Sequence, residues 1–462
     1  MMSLVIPPPK RLHADDMPCI HPNAAGMDIG ARAIVVAVPP PRDPEPVRVF
    51  ETFTPDLHAL VAWLVRCGID TVVMESTGVY WVPVFELLEQ CGIHPSLVNA
   101  RHVKTVPGRK SDWNDAQWLQ KLHALGLLQG SFRPDGEMCI LRTLLRHRAT
   151  LIAHRAPHIL HMQKALKLMN LQWSEVLTDI TGVTGLAILR AIVHGERDPL
   201  RLAQLRTTAC KSSVDVIAKA LTGTWRDEQV FILTQALELF DFYTRQMAAC
   251  DAQIERQFAA MKPRFASDEP SEPLPRVKPG SKSKNQPSYN ARTYLARLTG
   301  VDLVAVTGIS ASIAQTILVE VGTDMSKFPT VKHFCSWLGL APHNDISGGR
   351  VLRSRTLKVV NRATQAFRQA AQSVARSDSA FGAYFRAMRA RLGPQQAIVA
   401  TAHKIARVVY HLLQHHEAFK EESAAVYTRQ RHERELKHLT RRASKLGYTL
   451  TPAAASQPAS VI

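Results

Sequence analysis

Residues Thr71–Leu128 read TVVMESTGVYWVPVFELLEQCGIHPSLVNARHVKTVPGRKSDWNDAQWLQKLHALGLL, and this stretch decides the architecture. Thr71–Met74 is a short, β-branched run of the kind that fills a buried strand, and Glu75 stands at its carboxyl end. Val82–Gln90 has helical periodicity and runs into Cys91-Gly92, which suits a helix C-cap. His94–Val98 is a second short strand. A polar loop with Arg101, His102, Lys104, Arg109 and Lys110 then leads to Ser111, the expected N-cap of a helix that carries Asp112 and Asp115. Three residues apart, these two carboxylates share one helical face. A strand-end glutamate, a second strand and a helical Asp-x-x-Asp suggest carboxylates converging above one edge of an α/β sheet. Such oxygen donors suit a hard divalent cation such as magnesium. Acidic residues also gather in the first turn of helices because of the helix dipole, so the motif by itself leaves both readings open.

Towards the amino terminus, residues 1–24 form a Pro-rich polar leader. Gly26-Met27-Asp28-Ile29-Gly30 opens a strand expected to continue through Ala33–Val38. Pro39–Pro46 is a turn, Val47–Thr54 the returning strand of a hairpin, and Asp56–Cys67 an amphipathic helix that leads into Thr71. Asp28 is therefore an acid inside an apolar strand, costly unless it is paired or bound to metal. With Glu75, Asp112 and Asp115 the chain offers four carboxylates in the order D, E, D, D.

The chain has 462 residues, enough for two or three domains, with 46% hydrophobic and 21% charged residues as in an ordinary globular protein. Its formal net charge of +18 points to a polyanionic partner, most simply nucleic acid. An anionic membrane surface is the rival, but no basic amphipathic anchor stands out. No signal-peptide core and no run of about eighteen apolar residues occurs, so a soluble cytoplasmic protein without membrane contact is expected. The seven cysteines are scattered and form no C-x-x-C pair, which argues against a disulfide framework or a zinc site.

From Glu137 to Phe258 the chain is helical and strongly charged. Arg142, Arg146, Arg148, Arg155, Lys164 and Lys167 give its first half a basic face, either a solvated surface or a phosphate-tracking or dimerising arm. Residues 262–292, rich in Pro, Ser, Lys and Glu, read as a flexible linker. Beyond it, Leu303–Ser310 precedes a helix over Ala311–Gly322, and Phe328–Leu338 is another. Gly308 suits a helix-hairpin-helix turn that holds a phosphate as well as an ordinary turn in a helical core. His343–Gly349 reads as a flexible polar turn running into a basic strip of Arg350, Arg353, Arg355, Lys358 and Arg362. With Arg109 and Lys110 these are the nucleic-acid-binding candidates. Val359–Arg376 and Gln395–Gln414 close the domain as long helices, and a charged helical tail follows from Glu421.

The words GMDIG with Asp28, MESTGVYW with Glu75, and KSDWNDAQWL with Asp112 and Asp115 together resemble the RNase H-like fold of Holliday-junction resolvases of the RuvC type. More closely, they resemble the DEDD transposases of bacterial insertion sequences, the family that includes the Piv DNA invertase. LGLAPHNDISGGRVLRSRTLKVVNRATQAFRQAA resembles the carboxyl-terminal transposase domain of the same family. The resemblance covers about residues 25–130 and 300–415; with the residue patterns between and beyond them, the expected organisation is an RNase H-like mixed-sheet domain over 25–135 and a helical, coiled-coil-like middle over 136–260. A linker over 261–293, a mostly helical transposase domain over 294–420 and a charged tail over 421–462 complete the expected organisation.

The resemblance also implies chemistry. Asp28, Glu75, Asp112 and Asp115 would hold Mg2+ or Mn2+, and the serine before the glycine pair, Ser347, would be the nucleophile that forms a covalent phosphoserine with DNA. Glycines beside a serine let a phosphate approach closely, and nearby arginines neutralise phosphoryl charge; on its own, Ser-Gly-Gly is simply a turn. Implied partners are DNA at the element ends and target, a structured guide RNA read by base pairing, and further copies of the chain in a dimer or tetramer. The implied place is the bacterial cytoplasm, at the nucleoid. Two rival readings remain: a metal-dependent nuclease for branched DNA that uses water instead of Ser347, and a non-catalytic nucleic-acid-binding protein.

Overall fold

A computed structural model describes residues 18–75, 78–99, 112–172, 175–263, 274, 284–357, 359 and 361–451, with Asp112 and Trp113 described by backbone alone. Arg109, Lys110, Ser111 and Lys358 lie outside the described residues, as do most of the leader and most of the 261–293 linker. The chain divides into two compact units, Met1–Arg133 and Pro134–Ile462.

In the amino-terminal unit, β1 (Ala24–Ile29), β2 (Ala33–Ala37), β3 (Val47–Glu51), β4 (Thr71–Glu75) and β5 (His94–Val98) form one mixed sheet in the order β3-β2-β1-β4-β5. β1 pairs antiparallel with β2 and parallel with β4, and β4 pairs parallel with β5. The single strand expected from Gly26 to Val38 is two strands. Gly30 N–H donates to the Ala33 carbonyl at 2.9 Å and closes a hairpin. Side-chain parity explains the break: Ile29 and Ile34 are an odd number of residues apart, so one straight strand would send them to opposite faces. Folding back puts both in the same core.

That core lies under α1 (Thr54–Arg66) and α2 (Trp81–Gln90), where Ala25, Met27, Ile29, Val72 and Met74 meet Leu60, Trp63, Leu64, Phe85 and Leu88. The other face is covered by α3 (Asp112–Ala124), through Ala116 on Val35 and Ala37 and through Leu119 on Val73 and Val98. A mixed sheet with helices on both faces is the RNase H-like arrangement that the resemblance implies.

The carboxyl-terminal unit is mostly helical. α4 (Gly136–Leu168) begins it, α5 (Val183–Val193), α6 (Pro199–Gln204) and α7 (Val214–Leu221) follow, and α8 (Asp227–Ala260) returns along α4. Arg148 and Asp251 form an ion pair between the two long helices, both nearly fully buried. Two further guanidinium hydrogens go to the carbonyls of Asn285 at 3.0 Å and Gln286 at 3.2 Å. Ser288 N–H donates to Asp251 at 3.0 Å, so residues 285–288, within the stretch expected as a flexible linker, are pinned to the helix pair.

α9 (Ala291–Thr299), α10 (Ala311–Val321) and α11 (Val331–Trp337) come next, and Arg142 and Arg146 of α4 both pair with the buried Glu320 of α10 at 2.9 Å. Four arginines expected on a basic face of α4 thus have inward roles: Arg142 and Arg146 on Glu320, Arg148 on Asp251, and Arg155 on Asn285 at 2.8 Å. Lys164 and Lys167 are both exposed.

The segment from His343 to Arg355, expected as a turn and a strip, is a β-hairpin of β6 (Pro342–Ser347) and β7 (Arg350–Thr356). α12 (Arg362–Ser373), α13 (Ala380–Leu392), α14 (Pro394–His415) and α15 (Ala424–Lys445) complete the unit. Gly308, at φ +96°, lies so close to α12 that an added Cβ would meet the Ala370 carbonyl at 2.7 Å and Val374 Cγ1 at 2.5 Å. The glycine there serves close helix packing.

Candidate active site

In a pleated strand, alternate side chains face opposite sides. In β1, Ala25, Met27 and Ile29 point into the α1/α2 core, so Asp28 points to the α3 side. It lies opposite Val35, which packs on Ala116 of α3. In β4, Val72 and Met74 enter the α1/α2 core, whereas Val73 and therefore Glu75 face α3. Glu75 lies opposite Val98, which packs on Leu119. The parallel register pairs Met27 with Met74, and Asp28 and Glu75 are the next residues in each strand. Two carboxylates thus stand side by side at the carboxyl ends of neighbouring strands, on one face, with strands roughly 4.8 Å apart. Each is half-buried among fully buried neighbours.

The first turn of α3, which carries Asp112 and Asp115, lies towards the same end of the sheet. Gln120 Nε2 donates to the Ala24 carbonyl at 3.2 Å, at the start of β1, while Ala116 lies over Gly26. The helix therefore runs antiparallel to β1, and its first turn lies towards the end that carries Asp28. Asp115 is half-buried and precedes Leu119 by about one turn, on the side of α3 that faces β4 and β5. Asp112 opens the helix one turn before Ala116; its side chain lies outside the described residues. The far end of α3 is fastened by His123, whose Nε2 lies 2.9 Å from Thr71 Oγ1 at the start of β4. Burial, aided by neighbouring His21, pushes the His123 pKa down to about 4, so this imidazole is neutral.

The approach of α3 depends on Gly26. A Cβ there would lie 2.3 Å from the Gln120 nitrogen and 2.4 Å from the Ala116 carbonyl oxygen, both backbone atoms. Gly26→Ala is accordingly expected to cost about 1–3 kcal/mol as α3 is forced off the sheet, read as a lower melting temperature of the full chain. An unchanged Tm would show that the helix can ride up without loss. The GMDIG word contains this glycine, but its physical role is visible only once α3 is placed.

Among the described residues, no group of three or more His, Cys, Asp or Glu side chains is drawn together tightly enough to hold a metal ion. Asp28, Glu75 and Asp115, each half-buried, nonetheless offer the carboxylate oxygens that a hard divalent cation takes.

Ser347 belongs to the other unit and sits at the tip of the β6–β7 hairpin, exposed, paired with Arg350 across the turn. The turn is Gly348-Gly349, with φ of +53° and +77°. Two successive positive φ values mark the two-residue turn whose twist matches a hairpin, and that requirement favours glycine. Among the described residues, nothing lies within 4 Å of a Cβ added at either position, so the space around the serine is open. Arg350, Arg353 and Arg355 lie along the exposed β7, and Arg362 lies at the start of α12. Asp345 lies opposite Arg353 and 3.9 Å from His343 on the same strand. The sequence alone did not single out this pair or the exposed Ile346, Val351 and Leu352; the Gly-Gly dipeptide between two polar-apolar runs was the signal for a hairpin.

A family model describing a transposase of the DEDD IS110 type matches residues 25–171, from β1 to just beyond α4. A second, described as the transposase IS116/IS110/IS902 family, matches residues 302–386, which include the hairpin with Ser347. No curated protein matches the chain. The two matches together take in half of the sequence, and the carboxylate-bearing sheet edge lies within the first of them; the protein belongs to the IS110 family of DEDD transposases.

Proposed function

We propose that this transposase cuts and rejoins DNA through attack of Ser347 on a phosphodiester, in chemistry organised by Asp28, Glu75, Asp112 and Asp115. The observation that carries the reading is the shared edge of Asp28 and Glu75 on neighbouring strands, with the first turn of α3 directed to the same end. A divalent cation, magnesium or manganese, would be held by these four carboxylates and would offset negative charge on the transferring phosphoryl group.

The protein's own groups do the rest. Gly348 and Gly349, where an added Cβ would meet nothing within 4 Å among the described residues, would let a phosphodiester approach Ser347. The Ser347 Oγ–phosphorus bond forms as the bond from phosphorus to the leaving sugar oxygen breaks. The serine proton leaves, and the sugar oxygen takes up a proton as a free hydroxyl. Attack by that hydroxyl or another on the phosphoserine rejoins DNA and regenerates the serine. Arg350 and Arg353 offer fixed positive charge to the phosphoryl oxygens.

The partners are DNA at element ends and target, and a structured RNA that selects both by base pairing while basic surfaces grip the backbone. The acting species is an oligomer of this chain. The test is strand exchange on element-end and target duplexes by the protein as purified with its own nucleic acid. Ribonuclease treatment is expected to abolish exchange, and sequencing of the copurified RNA to reveal segments complementary to both duplexes. Full exchange after complete RNA removal would sink the guide.

The basic hairpin makes a separate prediction. Every phosphate that a cation ceases to neutralise lowers the slope of log affinity against log salt by about 0.9 for duplex DNA. Arg353→Gln with Arg355→Gln is therefore expected to flatten that slope by about 2. An unchanged slope in a salt titration would assign β7 to contacts between proteins.

A further inference from the structure

The last described helix lies outside both matched segments, and its residues are patterned on two sides. Among the described residues, α15 is anchored at its start. Ser423 caps it by accepting from Val426 N–H at 3.3 Å, and Ala380 N–H donates to the Glu422 carbonyl at 3.0 Å. Tyr427 is buried, with Lys404 Nζ 4.4 Å from its ring centre. From Thr428 to Lys445 every residue is exposed except Gln430 and Ala443, which are partly so. At 1.5 Å per residue this is an arm of about 27 Å.

At about 100° per residue, Arg431, Arg434, Lys437, Arg441, Arg442 and Lys445, together with His438, fall within an arc of roughly 140°. Glu433 and Glu435 lie at its two borders. The opposite side carries Leu436, Leu439, Ala443 and Leu446 over its carboxyl-terminal half and Arg429 and His432 nearer its start, and Leu436 and Leu439 are 41% and 43% exposed. The tail is thus a basic amphipathic helix, a feature that the mixed charges of RQRHERELKHLTRRASK hide when read linearly.

Six like charges on one stripe repel each other and need an anionic partner. We propose that α15 is a DNA-binding arm that lays this stripe along the phosphates flanking the major groove of duplex DNA. This rests on the family's having duplex DNA as substrate, and on nothing proposed for Ser347 or the four acids. A helix about 10–12 Å wide fits the major groove of B-form DNA, about 12 Å wide, whereas the major groove of A-form RNA is too narrow to admit it. The apolar side spans fewer than two heptads, short of the three or four that sustain a coiled coil. It also lacks the aromatic residues that favour membrane insertion.

The experiment compares the full chain with a variant carrying R434Q, K437Q, R441Q and R442Q, in which glutamine keeps helix propensity. On a random-sequence DNA duplex the salt slope is expected to fall by about 3–4, at about 0.9 for every phosphate left unneutralised. The pair R441Q and R442Q alone is expected to give half that fall. Ser347→Ala is expected to keep the full slope, so failure of the serine chemistry and failure of the arm are told apart. Affinity for an RNA duplex of equal length is expected to change little, and neither protein to sediment with phosphatidylserine vesicles. An unchanged DNA slope, a larger weakening on RNA than on DNA, vesicle binding that the four substitutions abolish, or a variant of lower mass by light scattering would each overturn the proposal.

Discussion

Ser347→Ala is expected to bind DNA as the wild type does, to form no protein–DNA adduct and to exchange no strands. The fall in activity should be at least about a thousandfold, the scale on which removal of a covalent nucleophile acts. Binding should persist because the serine is exposed at a hairpin tip and supports no packing. On the proposed reading, grip on the DNA backbone falls to the arginines. Wild-type protein trapped during reaction should leave an adduct that survives denaturation and disappears on protease digestion. Burial of Ser347 in the helical core would have counted against its role; it is exposed, between β-strands that end in an open turn. If Ser347→Ala still cuts DNA with an ordinary metal requirement, water is the nucleophile and the resolvase-like reading takes its place.

Much of the amino-terminal unit was legible because its elements announce themselves locally. Thr71–Glu75 and His94–Val98 are short runs bounded by turn residues, and both are strands that pair in parallel. The hairpin of β6 and β7 escaped for a physical reason. Both of its faces are exposed, so it shows no apolar alternation, and only Gly348-Gly349 marks it. The basic face of α4 misled because charge is read locally while pairing is not. Arg146 meets Glu320 across 174 residues and Arg148 meets Asp251 across 103. Burial of such charges is tolerable only when each is hydrogen-bonded. Of the site itself, the order of the four acids was legible, and parity within β1 and β4 supplies what order cannot. Parity puts Asp28 and Glu75 on the same face, and the close approach at Gly26 sets how α3 crosses that face.

Asp28→Asn, Asp112→Asn and Asp115→Asn are each expected to abolish strand exchange while leaving affinity for DNA and RNA nearly unchanged. Asparagine keeps the shape of the side chain but removes the charge, and a hard cation depends on anionic oxygen ligands. Removing a partner of a metal ligand already costs about 10–100-fold in metal affinity or activity, so removing a ligand itself should cost at least about a hundredfold. Phosphate binding depends on lysines and arginines elsewhere, so binding and chemistry should separate. Asp28 gives the sharpest test of the site against a purely structural role. Asparagine keeps the size of the side chain beside Val35 and Ala116, so Asp28→Asn should leave a folded protein while activity vanishes. Adduct formation with Ser347 should vanish with it if, as proposed, the acids act before the phosphoserine forms. If Asp28→Asn instead lowers Tm and affinity together and the residual folded protein exchanges strands normally, the acids belong to the fold. If exchange, Tm and affinity are all unchanged, the charge at this edge has no part in the chemistry, and the sheet serves only to hold nucleic acid.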